Sequence, residues 1–98
     1  MQLHIHRRAE ISIRALDKSE QKRIRRALTE LEAAEPTLPL QRAKLHRLAA
    51  GFSGKKLYTY NASPRLRLIL SFEANECTVE DVVSHDRLDR LFPGWGQQ

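Results

Sequence analysis

The most constraining feature of the sequence is the run RLRLILSF at residues 65–72, in which large apolar side chains occupy every second position. A period of two places this set on one face of a β-sheet. The set is Leu66, Leu68, Leu70 and Phe72. The opposite face then begins with Arg65 and Arg67, whose guanidinium groups can hold phosphate through paired hydrogen bonds. The run therefore predicts a strand with one side in a core and one basic side.

Residues 2–6, 57–62 and 77–85 also have strand patterns, and turn-forming residues separate the last three strands of the chain. In residues 77–85 the alternation breaks, because Val79 and Val83 share a parity and Val82 has the other. A β-bulge near Glu80 or Asp81 would resolve the mismatch and let Asp81 and His85 join the arginine face. We predict a bulge at this point.

Two segments before Pro36 have helical spacing of apolar residues, at 7–16 and 20–31, with Asp17 and Ser19 between them as N-cap residues. They predict two helices or one sharply broken helix, and residues 86–92 predict a short third helix. Residues 41–50 fit either a short helix or an extended approach to the sheet. Four basic residues of the second segment lie mostly off its apolar stripe, and this position favours a solvated face over a nucleic-acid surface. They are Lys22, Arg23, Arg25 and Arg26.

Size and composition indicate one ordinary globular domain, residues 1–98, with a single modest core. The formal charge is +5 and favours an acidic partner, either nucleic acid or an acidic protein segment. A single cysteine, Cys77, excludes an internal disulfide framework and agrees with a reducing compartment. Since the sequence has neither a membrane-spanning apolar run nor a signal-peptide pattern, we expect a cytoplasmic protein without a membrane partner.

The N-terminal strand carries two histidines, His4 and His6, on one side. Such a pair can chelate a metal, but two ligands without a third nearby in the sequence favour exposed strand histidines. We therefore expect no metal and no cofactor.

The order of these segments resembles the RelE/ParE superfamily of type II toxins. The likeness covers nearly the whole chain, in HIHRRAEISIRAL, QKRIRRAL, KLHRLAAGFSGKKLYTY, RLRLIL and VEDVVSHDRLDRLF. It implies an α+β fold in which an N-terminal strand and a helical hairpin pack on a small antiparallel sheet, followed by a short C-terminal helix. The sequence departs from the family pattern at Asp86, where relatives often have Arg, and at Phe92, where they often have a tyrosine nearby.

The resemblance implies a ribosome-dependent, metal-independent endoribonuclease that cleaves mRNA, inhibits translation and is silenced by a cognate antitoxin. Such cleavage uses the 2′-hydroxyl as nucleophile, and needs a base, cations around the phosphorus and an acid at the leaving oxygen. By this resemblance the catalytic residues would be Arg67 and Arg65, for the developing charge, and His85, whose imidazole suits proton transfer near neutral pH. The RNA-binding candidates are Lys44, His46, Lys55, Lys56, Arg87 and Arg90.

Two other functions stay open: a ParE-like inhibitor of DNA gyrase without nuclease activity, and an RNA-binding remnant. Structural roles stay open as well. Arg65 and Arg67 can form cross-strand ion pairs with Glu80 or Asp81, and His85 can cap the final helix.

Overall fold

The computed structural model describes residues 2–33, 45–48, 56–74 and 76–91. Its helices are α1 (Arg7–Arg14), α2 (Lys18–Ala33) and α3 (His85–Leu91). Its strands are β1 (Gln2–Ile5), β2 (Leu45–Arg47), β3 (Leu57–Asn61), β4 (Leu66–Glu73) and β5 (Glu76–Ser84). The fold is α+β, as the sequence predicted. No helix in these ranges is both long and apolar enough to cross a membrane.

The five strands form one sheet in the order β1-β5-β4-β3-β2. The pairs β2–β3, β3–β4 and β4–β5 are antiparallel, whereas β1 lies parallel to β5. The sheet is therefore mixed, because the N-terminal strand joins it at the edge beside the last strand. For residues 41–50 the sequence left helix and strand open, and residues 45–47 form a strand. Residues 41–44 and 49–50 lie outside the described ranges.

The two N-terminal helices begin at side-chain caps. His6 Nδ1 accepts a hydrogen bond from the amide of Arg8 (3.1 Å) at the start of α1. The Asp17 carboxylate accepts one from the amide of Glu20 (2.8 Å) at the start of α2. Each cap satisfies an amide that has no partner within its helix. The predicted pair of helices is confirmed.

The predicted bulge is present in β5. Ile69 pairs with Asp81 and Leu70 pairs with Val79, so Glu80 is the extra residue between them. The bulge changes the parity of the strand, and Val82 therefore packs in the same core as Val79. The Asp81 carboxylate accepts a hydrogen bond from the Ser12 hydroxyl of α1 (2.9 Å) and so fastens α1 to β5.

Apolar residues pack on both faces of the sheet. The α1 and α2 face holds the larger cluster, which includes Ile24 and Leu31 of α2 with Leu68 and Leu70 of β4, each fully buried. Burying each of these side chains contributes roughly 1.5–3 kcal/mol. The opposite face holds a smaller cluster, and Leu88, the buried leucine of α3, anchors that helix to it. The members of this cluster are Leu48, Leu57, Ile69, Val83 and Leu88. The rest of that face, beside α3, carries the predicted site residues.

Candidate functional site at the β4–α3 corner

The turn between β3 and β4 is held by the side chain of Arg67. Its Nη1 donates hydrogen bonds to the carbonyl oxygens of Ser63 (2.7 Å) and Leu66 (3.1 Å), and the residue is only 9% exposed. Burial lowers the pKa of Arg67, although a guanidinium remains charged in a protein. Arg67, predicted to bind the scissile phosphate, thus lies beneath the surface and orders the turn. Its catalytic role stays a prediction.

The neighbouring arginine, Arg65, lies on the surface of the same turn. Its amide donates to the Ser63 hydroxyl (3.3 Å), and its carbonyl accepts a hydrogen bond from the amide of His85 (2.8 Å). The β4–β5 ladder ends just before this contact, with Leu66 opposite Ser84. Arg65 and His85 therefore meet at one corner, where β4 begins and α3 begins.

The imidazole of His85 faces two carboxylates of α3. Its Nδ1 lies 3.6 Å from Oδ2 of Asp89 and 3.8 Å from Oδ1 of Asp86, and 45% of the side chain is exposed. Carboxylates beside one ring nitrogen orient the ring and select its tautomer. The sequence reasoning did not include Asp89 in the site, although its spacing of four residues from His85 on a predicted helix was a usable signal.

The N-terminus of α3 is capped by Ser84, whose hydroxyl accepts a hydrogen bond from the amide of Arg87 (3.1 Å). The sequence left open that His85 caps the final helix. The structure shows that Ser84, the residue before it, forms this cap. Among the described residues, His85, Asp86 and Asp89 are one group whose possible metal ligands all lie within 4.8 Å of one another. His4 and His6 have separate contacts: His4 Nε2 lies 3.5 Å from a Glu76 carboxylate oxygen, and His6 caps α1.

The other predicted RNA-binding residues do not all lie at this corner, because Lys56 precedes the end of β3 that is away from the turn. His46 pairs with Thr59 in the β2–β3 ladder, while its neighbour Leu45 packs toward the helices, so His46 shares the sheet face of Arg67. Two strand spacings separate it from β4, about 10 Å. Three further candidates are exposed: Lys56 before β3, and Arg87 and Arg90 on α3. Lys44 and Lys55 lie outside the described residues.

The carboxylates that were considered as partners of the arginines have contacts with α1 and β4. Glu80 Oε2 accepts a hydrogen bond from the Ser71 hydroxyl (2.7 Å), and its Oε1 lies 3.9 Å from Arg8 Nη2. Asp81 is bound by Ser12. Both carboxylates thus help to fix α1 against β5.

No family model matches the sequence, and no curated protein matches it. Several solved structures match the fold of the chain. The chain is similar to the archaeal RelE–RelB complex from Pyrococcus horikoshii OT3 at 19% identity, over 88% of this chain and 96% of that one, with a TM-score of 0.65. It is similar to YafQ from E. coli strain BL21(DE3) at 15% identity, over 89% and 96%, with a TM-score of 0.67. The chain has a RelE-like fold. A chain in the E. coli DinJ–YafQ toxin–antitoxin complex matches at 16% identity, over 89% and 94%, with a TM-score of 0.54.

In this RelE-like fold the β4–α3 corner combines an exposed guanidinium, an imidazole beside carboxylates, and a buried guanidinium beneath. Arg87 and Arg90 add positive charge from α3. Cations and a proton-transfer group within one corner are what phosphodiester chemistry requires.

Proposed function

We propose that this protein is the toxin of a type II toxin–antitoxin system and a ribosome-dependent, metal-independent endoribonuclease that cleaves mRNA in the cytoplasm. The similarity to the RelE–RelB and DinJ–YafQ complexes supports the toxin part of the proposal. The nuclease part depends on one observation: the hydrogen bond from the His85 amide to the Arg65 carbonyl (2.8 Å), which brings the backbones of these two residues together at one corner.

The proposed reaction is an in-line transfer within the RNA. A base removes the proton of the 2′-hydroxyl, the oxygen attacks phosphorus, and the bond to the 5′ oxygen breaks as an acid protonates it. The products are a 2′,3′-cyclic phosphate and a 5′-hydroxyl end. His85 is the candidate for one of these proton transfers.

The arginines have different parts in this scheme. Arg65 contacts the non-bridging oxygens, where charge develops in the transition state. Arg67 adds positive potential from below and holds the turn that carries Arg65. The exposed cations Lys56, Arg87 and Arg90, with the predicted Lys44 and Lys55, bind neighbouring parts of the RNA.

The proposed protein partner is a cognate antitoxin. The chain carries a formal charge of +5, so an acidic segment with apolar anchors is the partner that its surface fits. Binding would silence the toxin by covering cationic surface that the free protein exposes.

The experiment that tests the function is induced expression in bacteria with transcriptome-wide mapping of RNA 5′ ends. We expect new 5′-hydroxyl ends inside translated frames, and their loss when translation initiation is blocked. His85→Gln should lower cleavage by about 10²–10⁴-fold, the usual contribution of a proton-transfer group.

His4→Gln is the matched control, because His4 is also a half-exposed histidine beside a carboxylate. It lies opposite Thr78, at the other end of β5 from His85. The His4→Gln variant should cleave RNA as the wild type does. Growth arrest with a DNA-damage response and intact transcripts would instead indicate gyrase as the target. Equal cleavage by both histidine variants would contradict the assigned role of His85.

A further inference from the structure

A basic cleft lies between α2 and the β3–β4 turn, apart from the corner described above. Its volume is about 380 Å³. Residues of α2 form one wall and the turn forms the other: Ser19, Lys22, Arg23, Arg26, Glu30, Ala62, Ser63 and Pro64. Ser19, Arg23, Arg26 and Glu30 are three or four positions apart, so they share one face of the helix, and Lys22 lies beside them.

The charge of the cleft is positive. Lys22, Arg23 and Arg26 line it against a single carboxylate, that of Glu30. Glu30 already accepts a hydrogen bond from the Tyr60 hydroxyl (2.8 Å). Within the described part of the chain, no carboxylate lies at ion-pairing distance from any of the three cations. The cleft therefore concentrates cationic donors that have no ion-pair partner among the described residues.

Ser63 lies on the opposite wall of the cleft, and its hydroxyl has one proton to donate. Its oxygen accepts hydrogen bonds from the amides of Arg65 (3.3 Å) and Leu66 (3.1 Å). A serine hydroxyl has two acceptor positions and one proton to donate. Because both acceptor positions are used by the backbone, the proton is the group that remains for a ligand in the cleft. That ligand must supply acceptors.

We propose that this cleft binds a phosphate group of an RNA backbone, next to the phosphate at the β4–α3 corner. Phosphate oxygens accept from guanidinium, ammonium and hydroxyl donors together. The cleft favours RNA over an acidic peptide because Ala62 and Pro64 alone offer apolar surface for a peptide side chain. The choice of RNA depends on the proposed nuclease function.

The turn connects the two sites. It lines the cleft with residues 62–64 and presents Arg65 to the corner. An RNA strand that crosses this turn contacts the cleft on one side of the turn and the β4–α3 corner on the other. The cleft thus sets the position of the strand and takes no part in bond cleavage.

The test is RNA binding by the intact protein without cleavage. The probe is a fluorescent 2′-O-methyl RNA of about 15 nucleotides, which has no attacking hydroxyl. Fluorescence anisotropy across a series of KCl concentrations gives the affinity and its salt dependence. The variant is Arg23→Gln with Arg26→Gln. The control is Arg14→Gln with Arg25→Gln, which removes the same charge from exposed positions of α1 and α2 that do not line the cleft.

We expect the cleft variant to bind at least tenfold more weakly at low salt. The slope of log affinity against log salt should fall by about 1.4, since each phosphate contact on a single strand contributes about 0.7. The control should stay within about twofold of the wild type. Thermal unfolding of both variants checks that the fold is intact.

Equal losses in the two double variants would overturn the proposal, because they would show an effect of net charge alone. Wild-type binding by the cleft variant would overturn it as well. If the cleft variant binds RNA normally but loses antitoxin binding, the proposal is also overturned, because the cleft would then bind a protein partner. These outcomes are separate from failure of the nuclease proposal, which would appear as unchanged transcripts in cells while the cleft still binds the uncleavable RNA.

Discussion

Replacing Arg67 with glutamine should destabilise the protein, because the Arg67 side chain holds the β3–β4 turn. Its Nη1 makes two short hydrogen bonds to turn carbonyls, at 2.7 and 3.1 Å. Hydrogen bonds from a charged group contribute about 1.5–3 kcal/mol each. The desolvation of the guanidinium, which also lowers the pKa of Arg67, offsets part of this gain. We expect a net loss of about 2 kcal/mol in the free energy of unfolding.

For a chain of this size the loss corresponds to a fall in Tm of roughly 8–16 °C. Circular dichroism during heating measures it. Arg67→Lys should not restore the Tm, because an ammonium group lacks the planar fork of the guanidinium. Arg65→Gln is the matched control: Arg65 is exposed on the same turn, so its replacement should change stability by less than about 0.5 kcal/mol.

Cleavage assays in a cell-free translation system separate the two arginines further. Arg65→Gln should lose transcript cleavage while its Tm stays unchanged, whereas Arg67→Gln should lose both. A Tm of Arg67→Gln within about 2 °C of the wild type would refute the structural role of Arg67. An equal fall in Tm for Arg65→Gln would refute the distinction between the two residues.

Three further outcomes are expected. Tyr60→Phe removes the hydrogen bond to Glu30 (2.8 Å) and should lower the free energy of unfolding by about 1–2 kcal/mol in urea titrations; a change below about 0.5 kcal/mol would contradict it. Asp17→Ala removes the cap of α2 and should cost about 1 kcal/mol, whereas Asp17→Asn should keep most of the stability. Burial raises the pKa of the Cys77 thiol from 9.0 to about 12, so the folded state favours the neutral thiol, and this contribution to stability is complete below about pH 9 and lost as the pH rises toward 12. Urea midpoints between pH 8 and about 10 should therefore fall more steeply for the wild type than for Cys77→Ala, and parallel slopes would disprove the assignment.

Much of the architecture could be predicted because local patterns decide it. The alternation in β4 separates core residues from the arginines, and Asp17 begins α2 at the expected place. The parity mismatch in β5 predicted a bulge near Glu80 or Asp81, and the structure has it at Glu80, where the extra residue lets Val79 and Val82 share one core. Each of these signals depends on neighbours in sequence and on a water-excluding face.

The site could be predicted only in part. The sequence indicated that Arg65, Arg67 and His85 belong together, and the corner joins the backbones of Arg65 and His85. It could not distinguish an exposed arginine from a buried one, since both have the same parity on β4. Burial of Arg67 depends on where the turn carbonyls lie, and those positions follow from the β3–β4 register.

The sequence by itself determined most of the helices and strands, which face of β4 enters the larger core, and that the chain is basic, but it left residues 41–50 open between helix and strand. Tertiary structure decided the parallel docking of β1 against β5, the anchoring of α3 on the second face by Leu88, and the cleft between α2 and the turn. The physical reason is that periodicity and caps act over a few residues. Strand order, and the meeting of α2 with residues 62–64, depend on contacts between segments that are distant in the chain.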